Sequence, residues 1–216
     1  MTTKADHYAE LLENARCEGN WDLVPELVRK VRKHASSRTC LALAAETECA
    51  ISNVTTTGTR PSAADTARDL DVSDRLPKLE RAIRDEESDS EEKFQAQVCV
   101  GWLNWVVGNY DVALQQLPDP RADDVKLDFS NLSSEWTHVC ALKATYLRAN
   151  CLNRNGKLLE ALAAFESVAP VLKRVESSKG VRKQLRYWSE LFLTEHCVRM
   201  AEAIESGQEV SASRVP

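Results

Sequence analysis

Gly156-Lys157-Leu158-Leu159-Glu160-Ala161-Leu162-Ala163-Ala164-Phe165 is the stretch that decides the fold. A Gly is followed by a large apolar residue two positions on, then by apolar residues five and nine positions on. Gly108-x-Tyr110-x-x-Ala113-x-x-x-Leu117 obeys the same rule, and Gly19-x-Trp21-x-x-Val24-x-x-x-Val28 obeys it more loosely. Gly opens a turn because it reaches positive φ without steric cost. The apolar residues then seat a second helix against the first. Each copy therefore reads as the turn and second helix of a helix-turn-helix unit.

Such units match the tetratricopeptide pattern of about 34 residues. Its anchors here are Gly19 and Trp21, then Gly108, Tyr110 and Ala113, then Gly156, Ala161 and Phe165. Trp21, Tyr110 and Phe165 are expected to be largely buried as equivalent anchors of three second helices. The turns are irregularly spaced, Gly108 lying 89 positions after Gly19 and Gly156 lying 48 after Gly108. The fold predicted is all-α, an α-solenoid of tetratricopeptide-like antiparallel helix pairs with insertions. One irregular domain covers 1–206, with a mobile connection at about 53–72 and a polar tail at 207–216.

Composition narrows the function classes. The chain has 216 residues, 43% of them hydrophobic, enough for a continuous core. With 7 Gly and 7 Pro, and no long β-branched alternation, helices are favoured. A net charge of −5 gives no drive toward nucleic acid. No apolar run reaches a membrane span, and the first residues lack a signal-peptide core. Seven Cys, without a CxxC pair, read as reduced structural thiols of a cytoplasmic protein.

Helical spacing places a first helix over 4–18, broken by Gly19-Asn20, and a second over 21–35 with Pro25 in its first turn. A third runs over 37–52. The Thr-rich stretch that follows is too polar to bury much, and a short helix over 73–85 comes next. An acidic run at 86–92 leads into the pair 94–107 and 109–117. Gly101 stands seven residues before Gly108, where the first helix of this repeat favours a small residue. Ser133 or Ser134 caps a helix over 134–155, with Ala149 at the corresponding small position, and its partner covers 157–176. The last helix, over 179–205, exposes Trp188 and Phe192 with no successor to cover them. That gap points to the amino-terminal piece of a longer array.

Arg29, Lys30 and Lys33 share the solvent side of the second helix with Glu26. They form either a solvated face or a contact for an anionic lipid or acidic partner. Lys173, Arg174, Arg182, Lys183 and Arg186 make a second basic zone. Ser88 and Ser90 lie among acidic residues that suit an acidophilic kinase, or simply a solubilising linker. Glu195-His196-Cys197 is not a metal site, since adjacent helical residues diverge. No phosphate loop, dinucleotide fingerprint or nucleophile elbow occurs, so no catalytic residue, metal or cofactor is expected.

Two blocks carry a family resemblance. Cys17-Glu18-Gly19-Asn20-Trp21-Asp22-Leu23-Val24-Pro25-Glu26-Leu27-Val28 resembles the amino-terminal block of the tetratricopeptide repeat protein seven family. Trp102-Leu103-Asn104-Trp105-Val106-Val107-Gly108-Asn109-Tyr110-Asp111-Val112-Ala113-Leu114 is similar to the same family in the same order. Fungal members of this family are described as cargo-transport proteins. The resemblance implies a non-enzymatic scaffold, several times longer than this chain, that holds a type III alpha phosphatidylinositol 4-kinase at the plasma membrane. Implied partners are that kinase, a palmitoylated membrane-anchor protein and a hyccin-type subunit, with peripheral membrane association through the complex.

A competing reading is a peptide-binding tetratricopeptide adaptor for chaperones or trafficking. Its carboxylate clamp needs Lys, Arg and Asn along the first helices. The helix over 94–107 offers Val98, Trp102 and Trp105 there instead.

Overall fold

The computed structural model describes residues 3–55, 62–87, 90–119, 134–166 and 182–207. Among them there are helices and no strands. α1 is Lys4–Glu18, followed by a 3-10 turn at Trp21–Leu23. α2 is Val24–His34, α3 Thr39–Thr55, α4 Ala63–Asp69 and α5 Val72–Asp85. α6 is Glu91–Val106, α7 Tyr110–Gln116, α8 Glu135–Arg154, α9 Leu158–Glu166 and α10 Lys183–Glu205.

The three Gly turns share one geometry. Gly19, Gly108 and Gly156 have φ of 71°, 86° and 74°. Each Gly donates its N–H to the carbonyl three residues back, namely Arg16, Trp105 and Asn153. The next residue donates to the carbonyl five back, from Asn20 to Ala15, Asn109 to Asn104 and Lys157 to Leu152. This paired closure satisfies the last carbonyls of a helix and reverses the chain. The sequence rule thus has a backbone cause.

Helix starts follow their capping chemistry. Thr3 and Asp6 form a reciprocal capping box on α1. Ser90 and Ser134 accept from the N–H groups of Lys93 and Thr137 at the heads of α6 and α8. Pro25 sits in the first turn of α2, where its missing N–H removes no helical bond.

Two apolar clusters share α3. One joins α1, α2 and α3 through Leu12, Val24, Val28, Val31 and Ala45. The other gathers α3 and α5 to α8 with α10 around Phe94, Leu103, Trp136, Leu142 and Phe192. α6 packs on α3, α5, α7 and α8, and α8 packs on α9 and α10. α1 also touches α8 and α10, so the inner helices close on one another.

Gly101 of α6 lies tightly against Leu117, the residue that closes α7. A Cβ there would lie 2.3 Å from Cγ of Leu117 and 3.2 Å from its Cα. Ala149, at the matching position of α8, is buried.

Two expectations are corrected. The connection expected over 53–72 is helical at both ends: α3 runs on to Thr55, and Ala63–Asp69 is α4. Ser62 caps α4 through the Asp65 N–H, and burial of Thr66 and Leu70 suffices to anchor it. Trp188 and Phe192, expected without cover, are 9% and 1% exposed because α10 lays them on the core shared with α8. Trp21 and Tyr110 are partly buried. Each sits at the rim of a turn, edge-on to another ring: Trp21 to Trp136 at 6.0 Å and Tyr110 to Trp105 at 6.5 Å. The Phe165 side chain and residues 167–181 lie outside the described residues, which leaves the far half of the helix expected over 157–176 without description.

Candidate functional site

The most unusual chemistry lies inside the array. Arg16, in the last turn of α1, and Glu48, in the middle of α3, are both fully buried. The Arg16 Nε donates to Glu48 Oε2 at 2.9 Å, and Nη2 stands 2.8 Å from the same oxygen. Nη1 donates to Oε1 of Gln95 on α6 at 2.9 Å, and Gln95 donates to Thr137 Oγ1 on α8. The other Glu48 oxygen accepts from the Trp136 indole at 3.1 Å and lies 3.5 Å from Lys143 Nζ.

Lys143 is 1% exposed, on a helix buried nearly all round. Its ammonium lies 4.0 Å from the ring centroid of Trp102, 5.0 Å from Trp136 and 5.2 Å from Trp188. Those indoles come from α6, α8 and α10. Arg16 lies over Trp136 at 4.8 Å. Two cations thus share one carboxylate, and indole faces supply the remaining negative potential.

Burial alone would raise the Glu48 pKa, but Arg16 and Lys143 beside it hold the carboxyl below its ordinary value. Burial opposes the charge on Arg16, and Glu48 restores it, so its pKa stands above the usual one. The thiols of Cys99 and Cys140 are pushed far up, first by burial and then by Glu48. A thiol held protonated is no nucleophile. Arg16, Glu48, Trp136 and Lys143 are at 1% exposure or less, so the charges are held away from solvent.

The outer opening has the opposite character. A cleft of about 750 Å³ runs along α1 from Asp6 to Arg16, past the N-terminal ends of α3, α6 and α8, with Arg16 and Gln95 of the buried group in its wall. Asp6, Glu10, Glu13, Glu86, Glu91 and Glu92 line it, and Arg38 bridges Asp6 at 2.9 Å and Glu92 at 3.5 Å. Burial raises the Glu92 pKa, against the opposing pull of Arg38. A carboxylate-ended peptide meets repulsion here.

The basic residues read from sequence are not equivalent. Arg29 and Lys33 are exposed, and among the described residues neither is in an ion pair. Lys30 pairs with Glu26 at 2.7 Å and lies over the Tyr8 ring at 5.5 Å. Of the second zone, Arg182 is tied to Glu135 at 3.1 Å and donates to Asn14, while Lys183 and Arg186 are exposed. Lys173, Arg174 and Ser88 lie outside the described residues, and Ser90 serves as the cap of α6.

Ala113 and Ala161 are fully buried, as close helix packing requires, whereas Gly19 has the Gln184 amide of α10 against it. Trp102 is buried and Trp105 half-buried. His196 is buried while Cys197 is exposed, and among the described residues no group of three His, Cys, Asp or Glu is placed to hold a metal. No helix of the described residues is long and apolar enough to cross a membrane.

Sequence reading missed Arg16, Glu48 and Lys143. A weak signal exists: each charge stands in an apolar setting, as in Ala15-Arg16-Cys17 and Ala141-Leu142-Lys143-Ala144.

The fold and this interior define an all-α helical-repeat protein whose inner face is filled by its own side chains. The chain is similar to the putative cargo-transport protein ypp1 of Schizosaccharomyces pombe, at 24% identity over 213 residues that cover 88% of this chain. The family resemblance carried by the Trp21–Val28 and Trp102–Leu114 blocks therefore extends along most of the sequence. The match covers 23% of that relative, so the chain spans about a quarter of its length. No protein-family model matches the chain, and no solved structure matches it.

Proposed function

We propose that the chain is a non-catalytic scaffold segment that helps assemble a type III alpha phosphatidylinositol 4-kinase complex and recruit it to the plasma membrane. The observation that carries this reading is the similarity to a cargo-transport protein along 88% of the chain. A scaffold or trafficking role is what that relative's name supports. The kinase, the palmitoylated anchor and the hyccin-type subunit come from the family resemblance. The architecture is in keeping with it, since a core-filled helical array offers rigid outer surfaces instead of a reaction chamber. Arg29 and Lys33 are the residues through which this segment meets an anionic surface at the cytoplasmic face of the membrane, with Lys30 held back by Glu26.

The peptide-adaptor alternative is disfavoured by sign and by space. The cleft among the helix ends is acidic, and Trp102, Trp136 and Trp188 occupy the inner face. A titration of the protein with peptides from acidic chaperone tails separates the two readings. The scaffold reading expects no binding at millimolar peptide; saturable binding that needs the terminal carboxylate would favour the adaptor.

A further inference from the structure

We propose that Glu48 is the latch of a buried lock that fixes the inner helices in one closed arrangement, with Arg16 of α1 and Lys143 of α8 as its tethered cations. The proposal does not depend on which partner the scaffold holds. One carboxylate on α3 is approached by Arg16 from α1 and by the Trp136 indole, the Cys140 thiol and Lys143 from α8. Arg16 reaches on to Gln95 of α6, and Lys143 lies among indoles of α6, α8 and α10. Five helices therefore depend on a single set of contacts.

Apolar contacts alone do not choose one arrangement of such helices. Leu and Ala faces tolerate sliding and rotation at modest cost, and repacked cores lose uniqueness before they lose stability. Buried charges do not tolerate it. A shift of α1 or α8 by one turn leaves Arg16 or Lys143 in the core without its carboxylate, and an unpaired buried charge is strongly unfavourable. Charge–carboxylate geometry is thus a register device, as a buried polar residue is in a coiled coil. Trp188 and Arg182 extend it to α10: the first packs edge-on to Trp102 at 6.1 Å, and the second joins Asn14 of α1 and Glu135 of α8. The lock keeps the inner face shut and leaves the outer surfaces to partners.

Hydrogen exchange on the intact protein tests this with two variants. Glu48→Gln keeps the shape and removes the charge, and exchange along α1, α8 and α10 should accelerate by about a hundredfold. The triple change Arg16→Met, Glu48→Leu, Lys143→Met replaces the network by apolar groups of similar volume. It should keep helix content and melt at or above the native temperature, yet exchange along α1 and α10 should stay at least about tenfold faster than native. Native protection of α1 and α10 in the triple variant would overturn the lock, because apolar packing would then suffice for one arrangement. Native protection in Glu48→Gln would overturn it equally. Should Glu48→Gln not fold, the triple variant decides alone.

Discussion

Arg16 and Glu48 meet with 2.8 Å between Nη2 and Oε2, and neither side chain is exposed to solvent. Breaking this pair strands Glu48 in the core with Lys143 at 3.5 Å as its remaining cation. Arg16→Leu should therefore destabilise the fold by about 3–5 kcal/mol, read from urea unfolding. The pair also sets a pH dependence. The Glu48 pKa is lower folded than unfolded, so its stabilisation is present above the ordinary value of 4.5 and is lost as pH falls through the folded value. Glu92 has the opposite sign: its raised pKa favours the fold below 4.5, and that advantage fades as pH rises through the folded value. Native protein should lose stability steeply on acidification below about pH 4.5, and Glu92→Gln should be neutral or stabilising at pH 7. Acid-insensitive melting would contradict the Glu48 assignment.

Gly101 and Gly156 should fail for different reasons when replaced by Ala. At Gly101 the new methyl group collides with Leu117, including its backbone, and the cost should be about 1–3 kcal/mol. At Gly156 no atom lies within 4 Å, but φ is +74°, so the cost is conformational and about 1 kcal/mol. Leu117→Ala should relieve the first variant and leave the second unchanged. Thermal melts of the single and double variants check both statements.

The division between what sequence revealed and what it hid follows from range. Turns at Gly19, Gly108 and Gly156 were legible because their hydrogen bonds reach back only three to five residues. The end of α1 at Glu18 was legible for the same reason. α4 was not, because a helix held by Ser62, Thr66 and Leu70 shows no apolar stripe in a Thr-rich stretch. The charge network was hidden more deeply: Arg16 and Glu48 are 32 positions apart, and Glu48 and Lys143 are 95. No local pattern announces that three charged residues on three helices will meet. Arg29 and Lys33 were legible as solvent-facing from the helical period, whereas the pairing of Lys30 with Glu26 removes it from the free stripe.

The cysteines should divide sharply by reactivity. Six of the seven are buried and Cys197 on α10 is exposed. Burial lifts the Cys17 thiol to about 12 and those of Cys40 and Cys151 to about 11. A thiol reagent at pH 8 should titrate one group rapidly in the native protein, and Cys197→Ser should abolish that phase. Two or more fast groups would show that the helices open more readily than this packing allows.

Arg29→Glu with Lys33→Glu should leave the melting temperature unchanged, since both side chains are exposed. Within the assembled complex the pair should weaken sedimentation with anionic vesicles by roughly tenfold. Native binding should fall as salt rises. Equal sedimentation of native and variant complexes would assign the two residues to ordinary solvated surface.

Purifying the tagged full-length protein from its own cells and assaying the eluate shows whether it is a scaffold for a lipid kinase. A type III alpha phosphatidylinositol 4-kinase should co-elute in near-equal amount and phosphorylate phosphatidylinositol at the 4-position. An eluate free of the kinase and of 4-kinase activity, from protein shown to be folded, would contradict it.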